Sequence, residues 1–139
     1  MHEERVLLVR RANRDSPWYD SWCAPGGFCE VGEHPAETAV REVGEEAGLD
    51  VGIDRYLGTW VDVYADDSSE PDAEIINVAY YLAELEGNAE RAPDPAEVSE
   101  VGWFGWDELP RELSPPGTLE AVLAAARVAL TTPERSRPR

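Results

Sequence analysis

Glu42, Glu45 and Glu46 stand close together beside Arg41, in a segment that reads as one helix. Pro35 marks the start of that helix and Gly48 its end. At ~100° per residue, Ala36, Val40, Val43 and Ala47 fall within roughly 60°, an apolar face for a sheet. The three glutamates share a separate arc of roughly 100°. Like charges at i,i+3 and i,i+4 cost about 0.2–0.5 kcal/mol per pair. Glu45 and Glu46 also sit near the negative end of the helix dipole. Arg41 can reach Glu45 one turn away, but one arginine does not neutralise three carboxylates. A divalent cation does, and hard oxygen donors suit Mg²⁺ or Mn²⁺ rather than zinc. The chemistry such a cluster supports is attack of activated water on a phosphorus atom, with the leaving phosphate's charge neutralised.

Several elements must position this helix. Arg5–Arg10 is a short β-branched and apolar run, a strand. After a polar loop bearing Pro17, the run Trp22–Phe28 is broken by Pro25-Gly26-Gly27, where the chain turns tightly or is closely approached. Val51–Tyr64 and Ile75–Leu85 are rich in β-formers, joined by an acidic connection. Val98–Phe104 is a closing strand, and Thr118–Leu130 a second helix capped by Thr118. Residues 1–130 read as one domain and 131–139 as a flexible tail.

An ordinary solvated acidic face is the alternative for a Glu-rich helix, and the spacing decides against it. Gly27, five residues, Glu33, seven residues, then Arg41-Glu42-Val43-Gly44-Glu45-Glu46-Ala47-Gly48-Leu49 resembles the signature of the Nudix hydrolase family at every fixed position. Chance occurrence in a chain of this length is below roughly one in ten million. The resemblance extends to Val6–Arg11, to Trp22 ahead of Pro25-Gly26-Gly27, and to Trp103-Phe104 followed by Glu108-Leu109-Pro110. It implies an α/β/α sandwich, with a mixed β-sheet between the signature helix and the C-terminal helix.

The resemblance also implies roles. Glu42, Glu45 and Glu46 would bind the metals, with the Gly26 carbonyl completing the site and a glycine there leaving the ion room. Gly27 and Glu33 would support the loop, and Arg41 would orient a neighbouring carboxylate. The general base would be a signature glutamate (Glu45 or Glu46) or a glutamate ahead of the closing strand, where Glu97 is the candidate and Glu100 the alternative. Arg11 would contact substrate phosphate, for which a guanidinium fork is suited. Cys23 and Cys29 read as small buried apolar residues, and His2 and His34 as exposed bystanders. Trp18, Tyr19, Trp60 and Tyr64 are aromatics that could stack on a base or simply pack.

The net charge of −17 over 139 residues argues against a passive nucleic-acid binder, which needs a basic footprint. No stretch is long and apolar enough to span a bilayer, and two cysteines make no disulfide framework. A cytoplasmic protein with a small-molecule nucleotide substrate is expected, without nucleic-acid or membrane partners. The favoured reaction is hydrolysis of a phosphoanhydride in a nucleoside diphosphate linked to another moiety, of the ADP-ribose or nucleotide-sugar type. A nucleoside triphosphate pyrophosphohydrolase and a non-catalytic nucleotide-binding module are the alternatives. The acidic connection at 65–73 would disfavour triphosphates if it faced the site. Family members usually carry a further strand before Arg5–Arg10, so an open edge there would invite a homodimer.

Overall fold

A computed structural model of the chain describes residues 4–14, 18–64, 74–88 and 94–131. The acidic connection at 65–73, His2 and the tail from 132 onward lie outside them. Strand β1 (Arg5–Arg11) leads to a two-residue β2 (Trp22–Cys23), helix α1 (Pro35–Ala47) and the long strands β3 (Leu49–Tyr64) and β4 (Glu74–Asn88). Strand β5 (Val98–Gly105) and helix α2 (Thr118–Thr131) complete the order.

The α/β class and the two helices are as expected, whereas the sheet differs in detail. Instead of one mixed sheet, the named strands form a three-stranded antiparallel sheet, β2-β1-β5, and a two-stranded antiparallel ribbon, β3-β4. The ribbon carries three register shifts, at Asp50/Val51, Ile53/Arg55 and Tyr56/Gly58. Bulges of this kind increase local twist.

Strand β1 is central rather than an open edge. It pairs with β5 from Arg5↔Gly105 to Arg11↔Val98, and with β2 at Val9 and Arg10 on the other side. The ground for expecting a homodimer is reduced accordingly. Leu7, Leu8 and Val9 are all buried, which explains a continuous apolar run in place of alternation. Leu8 meets Trp22, Leu113, Leu119, Val122 and Leu123 in the main core cluster, while Val9 packs with Cys23 and Val98.

Helix α2 is fastened to β3 at both ends. The Thr118 hydroxyl donates to Asp62 Oδ1 at 2.7 Å, and Arg55 Nη1 donates to the Ala129 carbonyl at 2.9 Å. A cation on the last carbonyls of a helix also complements its dipole. Among the described residues, no helix is long and apolar enough to cross a membrane.

Candidate active site

Helix α1 begins and ends as its sequence dictates. His34 is the N-cap: its Nδ1 accepts from the Ala36 amide at 3.0 Å, and Glu37 accepts from the His34 amide at 3.2 Å. His34 is exposed but is therefore no bystander. At the other end Gly48 adopts a left-handed conformation, φ 69°, and its N–H reaches the Gly44 carbonyl. Only glycine does this without a steric cost.

Within the helix the fully buried residues are Thr38 and Glu46, while Ala36, Val40, Val43 and Ala47 are half-buried. The expected apolar stripe is thus only partly covered, and Val43 in it borders a cavity.

Two arginines organise the acidic cluster. Arg41 grips Glu33 with both edges of its fork, Nε to Oε2 at 2.8 Å and Nη2 to Oε1 at 3.0 Å. Its Nη1 donates to Glu42 at 2.9 Å and to Glu45 at 3.1 Å, and Nη2 also reaches the Phe28 carbonyl. Glu33 further accepts from the Thr38 hydroxyl at 2.6 Å and the Glu30 amide at 3.1 Å. These bonds, Arg41's first, pull the Glu33 carboxyl down to about 2. The loop ahead of α1 is thereby tied to the helix that it precedes.

Glu46 is the buried member of the cluster, only 5% exposed. Its Oε1 accepts from the Gly26 amide at 2.7 Å and its Oε2 from Arg11 Nη1 at 3.1 Å. Burial pushes its carboxyl up to about 7, against the pull of Arg11 and the Gly26 amide; the charges of Glu42 and Glu97 add to the rise. The Glu42 carboxyl is raised as well, by burial first, with Arg41 opposing and Glu45 adding. Four carboxylates, Glu33, Glu42, Glu45 and Glu46, thus share two guanidiniums, so the cluster holds more negative charge than its arginines compensate.

That excess is the observation against which a metal can be tested. The donors are three carboxylates on one helix, hard oxygens of the kind that divalent cations take. Among the described residues no three His, Cys, Asp or Glu side chains converge into a ready cage. Arg41 holds Glu42 and Glu45, and Arg11 holds Glu46, so an ion would compete with two guanidiniums for these oxygens. The donor set fits Mg²⁺ or Mn²⁺ in chemistry.

The crowded glycine is Gly27, not Gly26. A Cβ on Gly27 would lie 2.5 Å from Glu42 Oε1, whereas one on Gly26 meets nothing within 4 Å. Gly26 contributes through its amide, and Gly27 by leaving Glu42 room.

Arg11, at the end of β1, spans from this cluster to the cavity wall. Glu97 is exposed in the turn before β5, close enough for its charge to act on both Arg11 and Glu46. Glu100 lies elsewhere, paired with Arg10 at 3.1 Å. Cys23 is buried and its thiol is pushed up to about 11, chiefly by burial. Cys29, expected to be buried, is exposed, with its sulfur 3.0 Å from the Thr38 hydroxyl. Among the aromatics, Trp60 packs edge-on against Tyr80, Tyr19 is exposed, and Trp18 borders the cavity.

Sequence reasoning missed Asp62 and Tyr80. Alternation along β3 is misleading there: Val61 is 59% exposed and Asp62 only 7%. The signal that could have found Asp62 is a carboxylate set between two valines, Val61 and Val63, near the end of a run of β-formers.

Residues 1–124 match the family model for the NUDIX domain. An ADP-ribose pyrophosphatase of Methanocaldococcus jannaschii is 32% identical over 109 residues, 78% of this chain and 59% of that protein. The NAD-capped RNA hydrolase NudC of Pectobacterium carotovorum is 37% identical over 129 residues, 91% of this chain and 44% of that protein. This chain spans about half the length of these curated relatives. Among solved structures, an ADP-ribose pyrophosphatase from Streptococcus suis superposes with a TM-score of 0.69 at 26% identity, covering 98% of this chain and 90% of that one.

Proposed function

The chain belongs to the NUDIX family, and on that premise we propose that it is a pyrophosphohydrolase dependent on Mg²⁺ or Mn²⁺. Its substrate class is a nucleoside diphosphate linked to another moiety, with ADP-ribose and nucleotide sugars favoured. The observation that carries this reading is the under-compensated cluster of Glu42, Glu45 and Glu46, with Glu46 buried and its carboxyl raised to about 7. The names of the M. jannaschii and S. suis proteins support the substrate preference.

Glu42, Glu45 and Glu46 would hold the ion, which when bound supplies Lewis-acid neutralisation of phosphate charge and activation of water. Arg41 steadies Glu42 and Glu45 from one side and anchors the preceding loop through Glu33. The Gly26 amide fixes the rotamer of Glu46. Arg11, at the end of β1 beside Glu46, would offer its fork to a substrate phosphate. Glu97 would accept a proton from attacking water; its exposure and its charge acting on Arg11 and Glu46 support it over Glu100, which is paired with Arg10.

One relative is named for acting on capped RNA. A chain with net charge −17 is poorly suited to follow an RNA backbone, which supports a free nucleotide as substrate. The test is a panel of ADP-ribose, UDP-sugars, dinucleotides and nucleoside triphosphates with Mg²⁺ and Mn²⁺, products resolved by chromatography. Cleavage of ADP-ribose to AMP and ribose 5-phosphate is the expected result. Preference for a triphosphate, releasing pyrophosphate, would overturn the substrate reading.

A further inference from the structure

A cavity of about 490 Å³ lies between the inner face of α1, helix α2 and the strands. That is within the usual range for a small-molecule site. At one end are Arg11, Gly26 and Gly27, which belong to the acidic cluster; at another are Asp62 and Ser114 beside the start of α2. Most of the remaining wall is apolar, including the half-buried Val43, Leu57 and Val78.

Asp62 is the anomaly in this wall. It is 7% exposed, and its Oδ1 is used by Thr118, but among the described residues Oδ2 has no hydrogen-bond partner. A buried carboxylate oxygen without a donor is costly and calls for an explanation. The neighbouring positions make it sharper, since β3 buries Asp62 while exposing Val61. Tyr80 borders the same cavity, and its hydroxyl is pushed up to about 12 by burial and then by Asp62, with Arg11 opposing. Asp62 lines the cavity, so with Oδ1 held by Thr118 the free acceptor Oδ2 belongs to its wall.

We propose that Asp62 reads the base of the substrate, accepting a hydrogen bond on Oδ2 from the exocyclic amino group of a nucleobase lodged in this cavity. The inference rests on the reading that the substrate is a nucleotide. A base with a carbonyl at the same place sets two acceptors against each other and is rejected. Adenine is therefore taken and hypoxanthine, the same ring with oxygen for the amine, is refused.

Calorimetric titration of the metal-free protein with AMP and IMP tests this directly. Wild type should bind AMP roughly 10–100-fold more tightly than IMP, the usual effect of one hydrogen bond to a charged group. Asp62→Asn keeps an acceptor for Thr118 and places a donor where Oδ2 was, so the preference should reverse. Equal affinities for AMP and IMP in wild type would overturn the proposal whether or not the variant folds, as would an unchanged ratio in a folded variant. Wild type that cleaves ADP-ribose and inosine diphosphate-ribose equally well would also overturn it, yet leave the hydrolase reading intact. AMP preference in a protein that cleaves nothing on the panel would do the reverse.

Discussion

Replacing Glu46 by Gln should make the metal-free protein more stable at pH 8 and leave it unchanged at pH 4.5. The Glu46 carboxyl is raised from 4.5 to about 7 in the folded chain, with burial the largest cause. A folded value above the unfolded one means that the native state binds more protons between those limits. Stability from this group is therefore full below about pH 4.5 and is lost as pH rises through about 7. At ~1.4 kcal/mol per pH unit the loss is about 3 kcal/mol. Glutamine keeps an acceptor for the Gly26 amide and removes the charge, so the variant escapes this loss. Arg11 gives up its ion pair, but its partly exposed side chain can reach water. For a domain of this size the gain corresponds to roughly 10 °C in Tm. Thermal melts by circular dichroism in EDTA at pH 4.5, 6, 7 and 8 would show the gap opening with pH. Added Mg²⁺ should narrow it by stabilising wild type alone. A variant less stable than wild type at pH 8, or a gap that does not change with pH, would refute the reasoning.

Other substitutions separate the roles within the site. Glu45→Gln and Glu46→Gln should both fold and both lower kcat by about 10² or more at saturating metal, measured by steady-state hydrolysis. Gly27→Ala places a methyl group against Glu42 Oε1, so circular dichroism should remain native while Mn²⁺ affinity by calorimetry falls by about tenfold or more. Arg41→Lys keeps the charge but loses the two-edged grip on Glu33, so kcat should fall with little change in KM.

Much of this site was legible because its determinants are local. Pro35, Gly48 and the 3.6-residue spacing place the three glutamates on one helix without help from the rest of the fold. The continuous run Val6-Leu7-Leu8-Val9 announces a buried strand; Thr118 begins α2 as expected, but it is the first helical residue and its hydroxyl goes to Asp62 instead of capping the helix. What was not legible depends on distant residues. Glu46 looks like a surface carboxylate on a helical wheel; it is buried because Arg11, 35 residues earlier, closes over it from the end of β1. Asp62 is buried against the hydrophobic pattern of its own strand, because α2 docks there and offers Thr118. The division into sheet and ribbon is a matter of long-range strand pairing that composition does not reveal. His34 was passed over because histidine is not a usual cap, although its Nδ1 serves as well as an oxygen.

The most direct test is hydrolysis of ADP-ribose after exhaustive dialysis against EDTA, followed by titration with Mg²⁺. We expect activity to vanish on dialysis and to return with added ion in wild type, but not in the combined Glu42→Gln, Glu45→Gln, Glu46→Gln variant. Undiminished turnover in the dialysed protein, or full recovery in the triple variant, would contradict the assignment of a metal to this helix.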